Sequence, residues 1–325
     1  MKLTTLLRKY DNETFCEKEF KKLRDKAGIV CPKCGGTAHY YIGGKAKRYK
    51  CKECGAEQGL RANTTLHRTK LPYRYWFVAV ALIKSIKNTL STAEIIRQLG
   101  HKHYRPIFNM MHKIRTQMGV MEDGRILTGH VEVDEAYFNT YRHKDGTSVR
   151  DVTTTTKKKR YQRVKPVTET NTYVVVMAES FPVKYPKIGM KQRAARYIQM
   201  KVVPDIKADT LFTHIAPHIN PSAHIIADGT HQHKYLKKVY AKYTGGKIPI
   251  SDLGKILPYT HIAIGNAKAQ IRNIHHTSLN LYLQLYLNEF VYKWNNRKAD
   301  VTSLLLQDIA RYKTALPNNS TLKVA

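Results

Sequence analysis

Residues 129–137 read GHVEVDEAY, that is Gly129, His130, Val131, Glu132, Val133, Asp134, Glu135, Ala136 and Tyr137. Val131 and Val133 alternate with Glu132 and Asp134, the two-residue period of a half-buried strand. Glu132 and Asp134 therefore share one face and Glu135 takes the other. The cluster is conspicuous because acid is scarce: the 325 residues hold 56 Lys+Arg against 24 Asp+Glu, for a formal charge of +32. Scarce acid concentrated on one strand needs a reason.

Further strands follow. Tyr173–Ala178 and Arg196–Val203 are apolar runs, and a helix is expected around Asp209 to His218. Ala223-His224-Ile225-Ile226-Ala227-Asp228-Gly229 then reads as a short buried strand that ends on an acid. Strands, a helix, a strand and more helices make a mixed α/β domain of about 170 residues. Asp134 and Asp228 can approach each other at the edge of such a sheet. Two close carboxylates repel and raise each other's pKa unless a cation lies between them. Mg²⁺ and Mn²⁺ prefer oxygen ligands, and such ions promote in-line attack on phosphorus. The plainer alternatives are an ion-paired strand residue for Asp134 and a turn or helix cap for Asp228, leading into Thr230-His231-Gln232-His233. The residues alone leave both readings open.

Composition narrows the partner. A hydrophobic content of 42% supplies a core for two or three domains. The charge calls for a polyanion: DNA, RNA or an anionic membrane surface. A membrane is disfavoured, because no run approaches the ~18 apolar residues of a spanning helix. The longest apolar patch, Trp76 to Ile83, is flanked by Lys and Arg, and MKLTTLLRKYDNETF is too polar after Leu7 for a secretory signal. Without export, the cysteines belong in a reducing compartment, where they bind metal more often than they pair. Nucleic acid leads.

Cys31-Pro-Lys-Cys34 and Cys51-Lys-Glu-Cys54 are each followed by glycine, Gly35 and Gly55. Two such turns complete a closed tetrahedral S₄ site for a structural Zn²⁺. Disulfides or four buried thiols are the competing readings. Cys16 is left over and is read as a packed thiol. Between the pairs, His39 to Lys50 alternates aromatic and basic residues around Gly43-Gly44, a hairpin whose Lys45, Lys47 and Arg48 can lie on phosphates or simply be solvated. Tyr73 to Leu90 is expected to be an apolar helix. Ser91-Thr92-Ala93-Glu94 has the spacing of a capping box, and its helix should stop at Gly100. Ile107, Met110, Met111, Ile114 and Met118 then give one buried helix face. This pair of helices suits a helix-turn-helix presenting Lys102 and Arg105, although any helical hairpin looks similar.

The order CPKC…CKEC, KLPYRYWF, GHVEVDEAY, IIADG and YLNEFVYKWNNRK resembles the insertion-sequence transposases of the ISXO type, which are related to the Merlin group, collinearly from about Lys22 to Lys298. The resemblance implies a zinc ribbon that binds DNA and an RNase H-like catalytic domain. It also implies metal-dependent cleavage at transposon ends and joining of the freed 3′-OH to target DNA. Asp134 matches the family's first catalytic acid and Asp228 its second. The third position varies among Glu, Asn and His with a Lys seven residues on, and here His261 and Lys268 match. Seven residues are two helical turns, so both project from one face, and Arg272 continues it. The implied site is Asp134, Asp228, His261 and Lys268. A nitrogen ligand makes Mn²⁺ comparatively more welcome. His261 can alternatively contact the scissile phosphate, shuttle a proton, or be an ordinary surface histidine; Asn266 lies on another face. Glu132 is a candidate supporting group for Asp134, and Glu289 a structural acid.

The expected divisions are an N-terminal helical segment (1–28), zinc ribbon (29–60), helix-turn-helix-like block (61–122), RNase H-like domain (126–298) and C-terminal helix and tail (299–325). The Thr153–Lys165 segment, with Lys157, Lys158, Lys159 and Arg160, reads as a loop that neutralises phosphates. Expected partners are double-stranded DNA, as transposon ends and target, and further copies of the chain in a synaptic complex. The expected location is the bacterial cytoplasm at the nucleoid, or the nucleus of a eukaryote. Rival readings are a zinc-ribbon regulator with an inactive RNase H-like domain, and a non-mobile nuclease.

Overall fold

Asn12 and Gly28 bracket the first long helix of a computed structural model that describes residues 3–86, 88–142, 168–183, 193–228, 233–246, 256–275, 280–299 and 302–311. The segment holding Lys157, Lys158, Lys159 and Arg160 lies outside the described residues, as does the Leu316–Ala325 tail. The chain divides into two compact units, Met1–Met121 with Lys298–Leu316, and Glu122–Arg297 with the tail.

In the first unit, α1 (Leu3–Tyr10) precedes α2 (Glu13–Ala27). The Asn12 side chain accepts from Phe15 N at 3.0 Å, and Gly28 leaves the helix at φ 80°. Strands β1 (His39–Ile42), β2 (Arg48–Cys51) and β3 (Glu57–Gly59) form an antiparallel sheet, so the aromatic and basic segment is a hairpin as read. Helix α3 (Tyr73–Ser85) stops short of the expected Leu90: Ile86 is already extended, at φ −101° and ψ 124°. Ser91 Oγ then accepts from Glu94 N at 3.1 Å and starts α4 (Thr92–Leu99). Only half of the capping box forms, because the Glu94 carboxylate turns to Arg97 and Gln98. Gly100 closes α4 in the left-handed region, and α5 (Tyr104–Asp123) buries Ile107, Met110, Met111, Ile114 and Met118 as its spacing required.

The second unit is built on five strands: β4 (His130–Arg142), β5 (Thr168–Pro182), β6 (Arg193–Val203), β7 (His224–Ala227) and β8 (Lys242–Gly245). Their order is β6-β5-β4-β7-β8; the first three are antiparallel, and β7 and β8 run parallel to β4. A meander of three followed by two parallel strands on the other side of the first is the RNase H-like arrangement. Helices α6 (Ala208–Ile215) and α7 (Lys234–Val239) serve one face. Helices α8 (Pro258–Gln270, continued by a π turn Ile271–His275) and α9 (Asn280–Asn295) serve the other. Alternation along β4 decides which side chain meets which layer. Val131 and Val133 pack with Leu211, Ile215 and Leu236, whereas Ala136 and Phe138 pack with Ala263, Ala267, Leu283 and Leu287.

The WNNR run at the end of α9 has a structural job. Strand β6 is an edge, and unpaired edges invite wrong pairing. Asn295 Oδ1 accepts from Ile198 N at 2.8 Å while its Nδ2 donates to Ile198 O at 2.9 Å. Arg297 donates to Ala195 O at 2.7 Å and Arg196 O at 2.9 Å, and Gln284 treats Val202 and Met200 similarly. The helix thus supplies side-chain partners where a sixth strand would be. The last helix, α10 (Thr302–Arg311), packs on α2 and α3 and so belongs with the N-terminal elements. No described helix is long and apolar enough to cross a membrane.

Candidate active site

Parallel pairing of β4 with β7 runs from His130↔His224 to Val133↔Ala227 and stops. The next residue on each strand is an aspartate, Asp134 and Asp228. Neighbouring strands lie about 4.8 Å apart, so the register brings the two backbones side by side. Strand β4 continues beyond this point, still paired with β5 (Asp134↔Val176). The two acids therefore lie side by side at a step within the sheet, where β7 has ended and β4 goes on.

His261 Nε2 approaches Asp134 Oδ2 at 3.4 Å from the first turn of α8. Lys268 projects from the same side, its Nζ 5.7 Å from the centre of the Phe138 ring, and Arg272 follows, exposed, in the π turn. Burial, then the neighbouring Glu135 charge, push the Asp134 carboxyl up to about 7 despite the Glu135 N–H it accepts at 2.9 Å; Asp228 adds to the rise. Two carboxylates and an imidazole, with negative charge this crowded, suit a hard divalent cation. The set is open: among the described residues, only the four cysteines bring three or more such ligand atoms within 4.8 Å of one another.

Two supports escaped the sequence reading. Glu132, buried and on the Asp134 face as expected, turns its Oε2 to Tyr259 N (2.8 Å) and Thr260 N (2.9 Å). It caps α8, the helix that carries His261, and so supports the site through that helix. The second is His233, whose side chain is fully buried between Asp228 Oδ1 (3.0 Å from Nδ1) and Glu135 Oε1 (2.8 Å from Nε2). Burial opposes charge on this imidazole, but the hydrogen bonds to Asp228 and Glu135 outweigh it and raise its pKa to about 9. Glu135, on the opposite face of β4, is thereby tied to Asp228. Alternation alone would have separated them, and His233 joins them. Glu289 is buried, with Lys293 Nζ at 3.5 Å, in keeping with a structural acid.

In the other unit the two knuckles fold alike. Gly35 N donates to Cys31 O and Cys31 N to Gly36 O; Gly55 N donates to Cys51 O and Cys51 N to Ala56 O. Gly35 and Gly55 sit at φ 76° and 72°, which an L side chain resists. Cys31 and Cys54 sulfurs are 3.6 Å apart, as are those of Cys34 and Cys51. Zn–S bonds of about 2.3 Å give a tetrahedral edge of about 3.8 Å, so a structural zinc fits. Donation from the Cys34 and Lys33 N–H groups favours the Cys31 thiolate, whereas Cys34 is raised, despite the Gly36 N–H, by the Cys54 sulfur and burial; a cation among the four sulfurs would relieve that opposition. Cys16 is a fully buried thiol. Of the hairpin cations, Lys45 is exposed, Lys47 pairs with Glu17 at 2.7 Å and Arg48 with Glu57 at 3.0 Å. Such surface pairs are weak and exchangeable for phosphates. Lys102 and Arg105 are exposed at the α4–α5 turn.

Residues 126–295 match the sequence profile of the ISXO2-like transposase domain, and residues 11–57 that of a transposase zinc-ribbon domain. A similar solved structure is the Mos1 transposase paired-end complex with left transposon end: identity is 11%, coverage 70% of this chain and 76% of that one, and the TM-score 0.23. No curated protein sequence matches.

Proposed function

The chain belongs to the ISXO2-like transposase family, and from that premise we propose that it cuts DNA at the terminal inverted repeats of an insertion sequence and joins the freed 3′-OH to target DNA. The observation that carries the reading is the β4–β7 register, which ends with Asp134 beside Asp228 while His261 Nε2 stands 3.4 Å from Asp134. Asp134 and Asp228 hold Mg²⁺ or Mn²⁺, and His261 completes the set as a nitrogen ligand. The ion, when bound, supplies the acidity that activates a water or 3′-hydroxyl and stabilises the leaving oxygen. Lys268 and Arg272 neutralise phosphates beside the cut. Glu132 fixes the start of α8, and His233 orients Asp228. The ribbon and the α4–α5 block, with Lys45, Lys47, Arg48, Lys102 and Arg105, grip the ends, which two or more copies bring together.

Asp134→Asn and Asp228→Asn should each abolish cleavage of an end-bearing duplex in Mg²⁺ and leave end binding nearly intact. Cutting by either variant would overturn the assignment. A regulator with an inactive catalytic domain is the second reading. It is favoured by the histidine at the third position, and by the engagement of Asp228 Oδ1 with His233. An unaltered chain that binds ends but cuts in neither Mg²⁺ nor Mn²⁺ would establish it.

A further inference from the structure

A groove of about 680 Å³ opens in the N-terminal unit between the segment before α3 and the start of α5. Its lining includes Arg68, Lys70, Arg105 and Lys113, the rings of Tyr75 and Trp76, and the amide of Asn109, and among the described residues no carboxylate lines it. Arg68, Lys70 and Arg105 are exposed and take no acidic partner among the described residues. Lys113 is half-buried, donates to His67 O at 2.7 Å, and has its pKa pushed down by burial. Trp76 is 1% exposed, yet its indole N–H finds no acceptor among the described residues. With so little of its surface accessible, the Trp76 ring backs the groove wall and is not itself a ligand contact.

Phosphates of a duplex are met by convex or flat basic surfaces and need no cavity. A concave site with aromatic and apolar walls, an amide and several cations matches a nucleotide taken out of its stack. The base finds a π face and hydrogen-bond partners within, while the flanking phosphates meet the cations. The size lies within the usual range of small-ligand pockets. We propose that this groove is a subsite for one unpaired nucleotide of the DNA substrate, with Tyr75 stacking on the base, Asn109 contacting its edge, and Arg68, Lys70 and Arg105 holding its phosphates. The proposal rests on the reading of the chain as a DNA transposase and adds a distortion of the DNA that the catalytic residues do not explain.

The test uses the full-length, zinc-loaded chain and two labelled duplexes of the same sequence, one fully paired and one with a single-nucleotide bulge. One stacked base should favour the bulged duplex by roughly five- to hundred-fold in Kd. Tyr75→Ala should erase that preference with little change for the paired duplex, and Asn109→Ala should reduce it. A 5-iododeoxyuridine at the bulge of the duplex, bound to the unaltered chain, irradiated and mapped by mass spectrometry, should attach to Tyr75; this readout needs no variant to fold. Equal affinities, a preference untouched by Tyr75→Ala, or attachment only elsewhere overturns the subsite. Should those occur while Asp134-dependent cleavage persists, the subsite falls and the transposase reading stands. Base preference and attachment without any cleavage would sink that reading and leave the subsite standing.

Discussion

Replacing Glu132 by alanine tests whether the first turn of α8, and with it His261, is held from beneath. The Glu132 side chain is 3% exposed and accepts from Tyr259 N at 2.8 Å and Thr260 N at 2.9 Å. A helix start leaves its first N–H groups without intrahelical partners. The alanine variant therefore orphans two donors in a buried place. At about 1–3 kcal/mol for each unsatisfied group, the loss is about 2–6 kcal/mol. Glu132→Gln keeps an acceptor and the volume but forfeits the negative charge at the positive end of the helix, a loss of about 1–2 kcal/mol. Amide hydrogen exchange reads this locally, without requiring the two units to unfold together. Tyr259 and Thr260 amides should exchange at least about 30-fold faster in the alanine variant, the lower bound of that estimate. Cleavage should fall with them, because His261 follows Thr260 directly, while the glutamine variant should retain most of it. Unchanged exchange at both amides in Glu132→Ala would refute the capping role.

Removing His233 by His233→Ala leaves Glu135 and Asp228 facing each other without their shared partner, and should cost about 3–5 kcal/mol, read as a lower Tm in metal-free buffer. Asn295→Leu strips β6 of the bonds to Ile198 N and O and frees Glu122 from its 2.7 Å contact; a loss of about 2–4 kcal/mol and concentration-dependent aggregation should follow. Metal analysis should find one zinc per chain, lost in Cys54→Ser, with weaker end binding after chelation. Burial, then nearby Glu13, raise the Cys16 thiol from 9.0 to about 12. Its neutral form is thus favoured in the fold, so its contribution to stability is complete below about 9.0 and disappears as pH rises through about 12. Iodoacetamide at pH 8 should leave Cys16 untouched in the native protein and modify it once the chain is unfolded; labelling of native Cys16 at that pH would contradict its burial.

Local rules made much of this legible beforehand. Period-two alternation located β4 and assigned Glu132 and Asp134 to one face, and period 3.6 found the buried stripe of α5. The cysteine spacing defined the knuckles because two thiolates on one tight turn need only a glycine in the right place. Where such rules failed, a longer-range term had taken over. Helix α3 ends at Ser85, and Glu132, although on the expected face, serves a helix 127 residues away. Glu135 and Asp228 are joined through His233, which lies 98 residues from Glu135 in the chain.

The chain's own chemistry determined that it carries a zinc-binding pair of knuckles, a basic surface for a polyanion and a strand rich in acid, because each follows from residue type and short spacing. Tertiary structure alone decided that Asp134 and Asp228 become neighbours, that β7 stops where they meet, and that α9 finishes the open edge of β6. Those outcomes depend on strand order and register, which arise from packing between segments roughly a hundred residues apart and leave no periodic mark on either one.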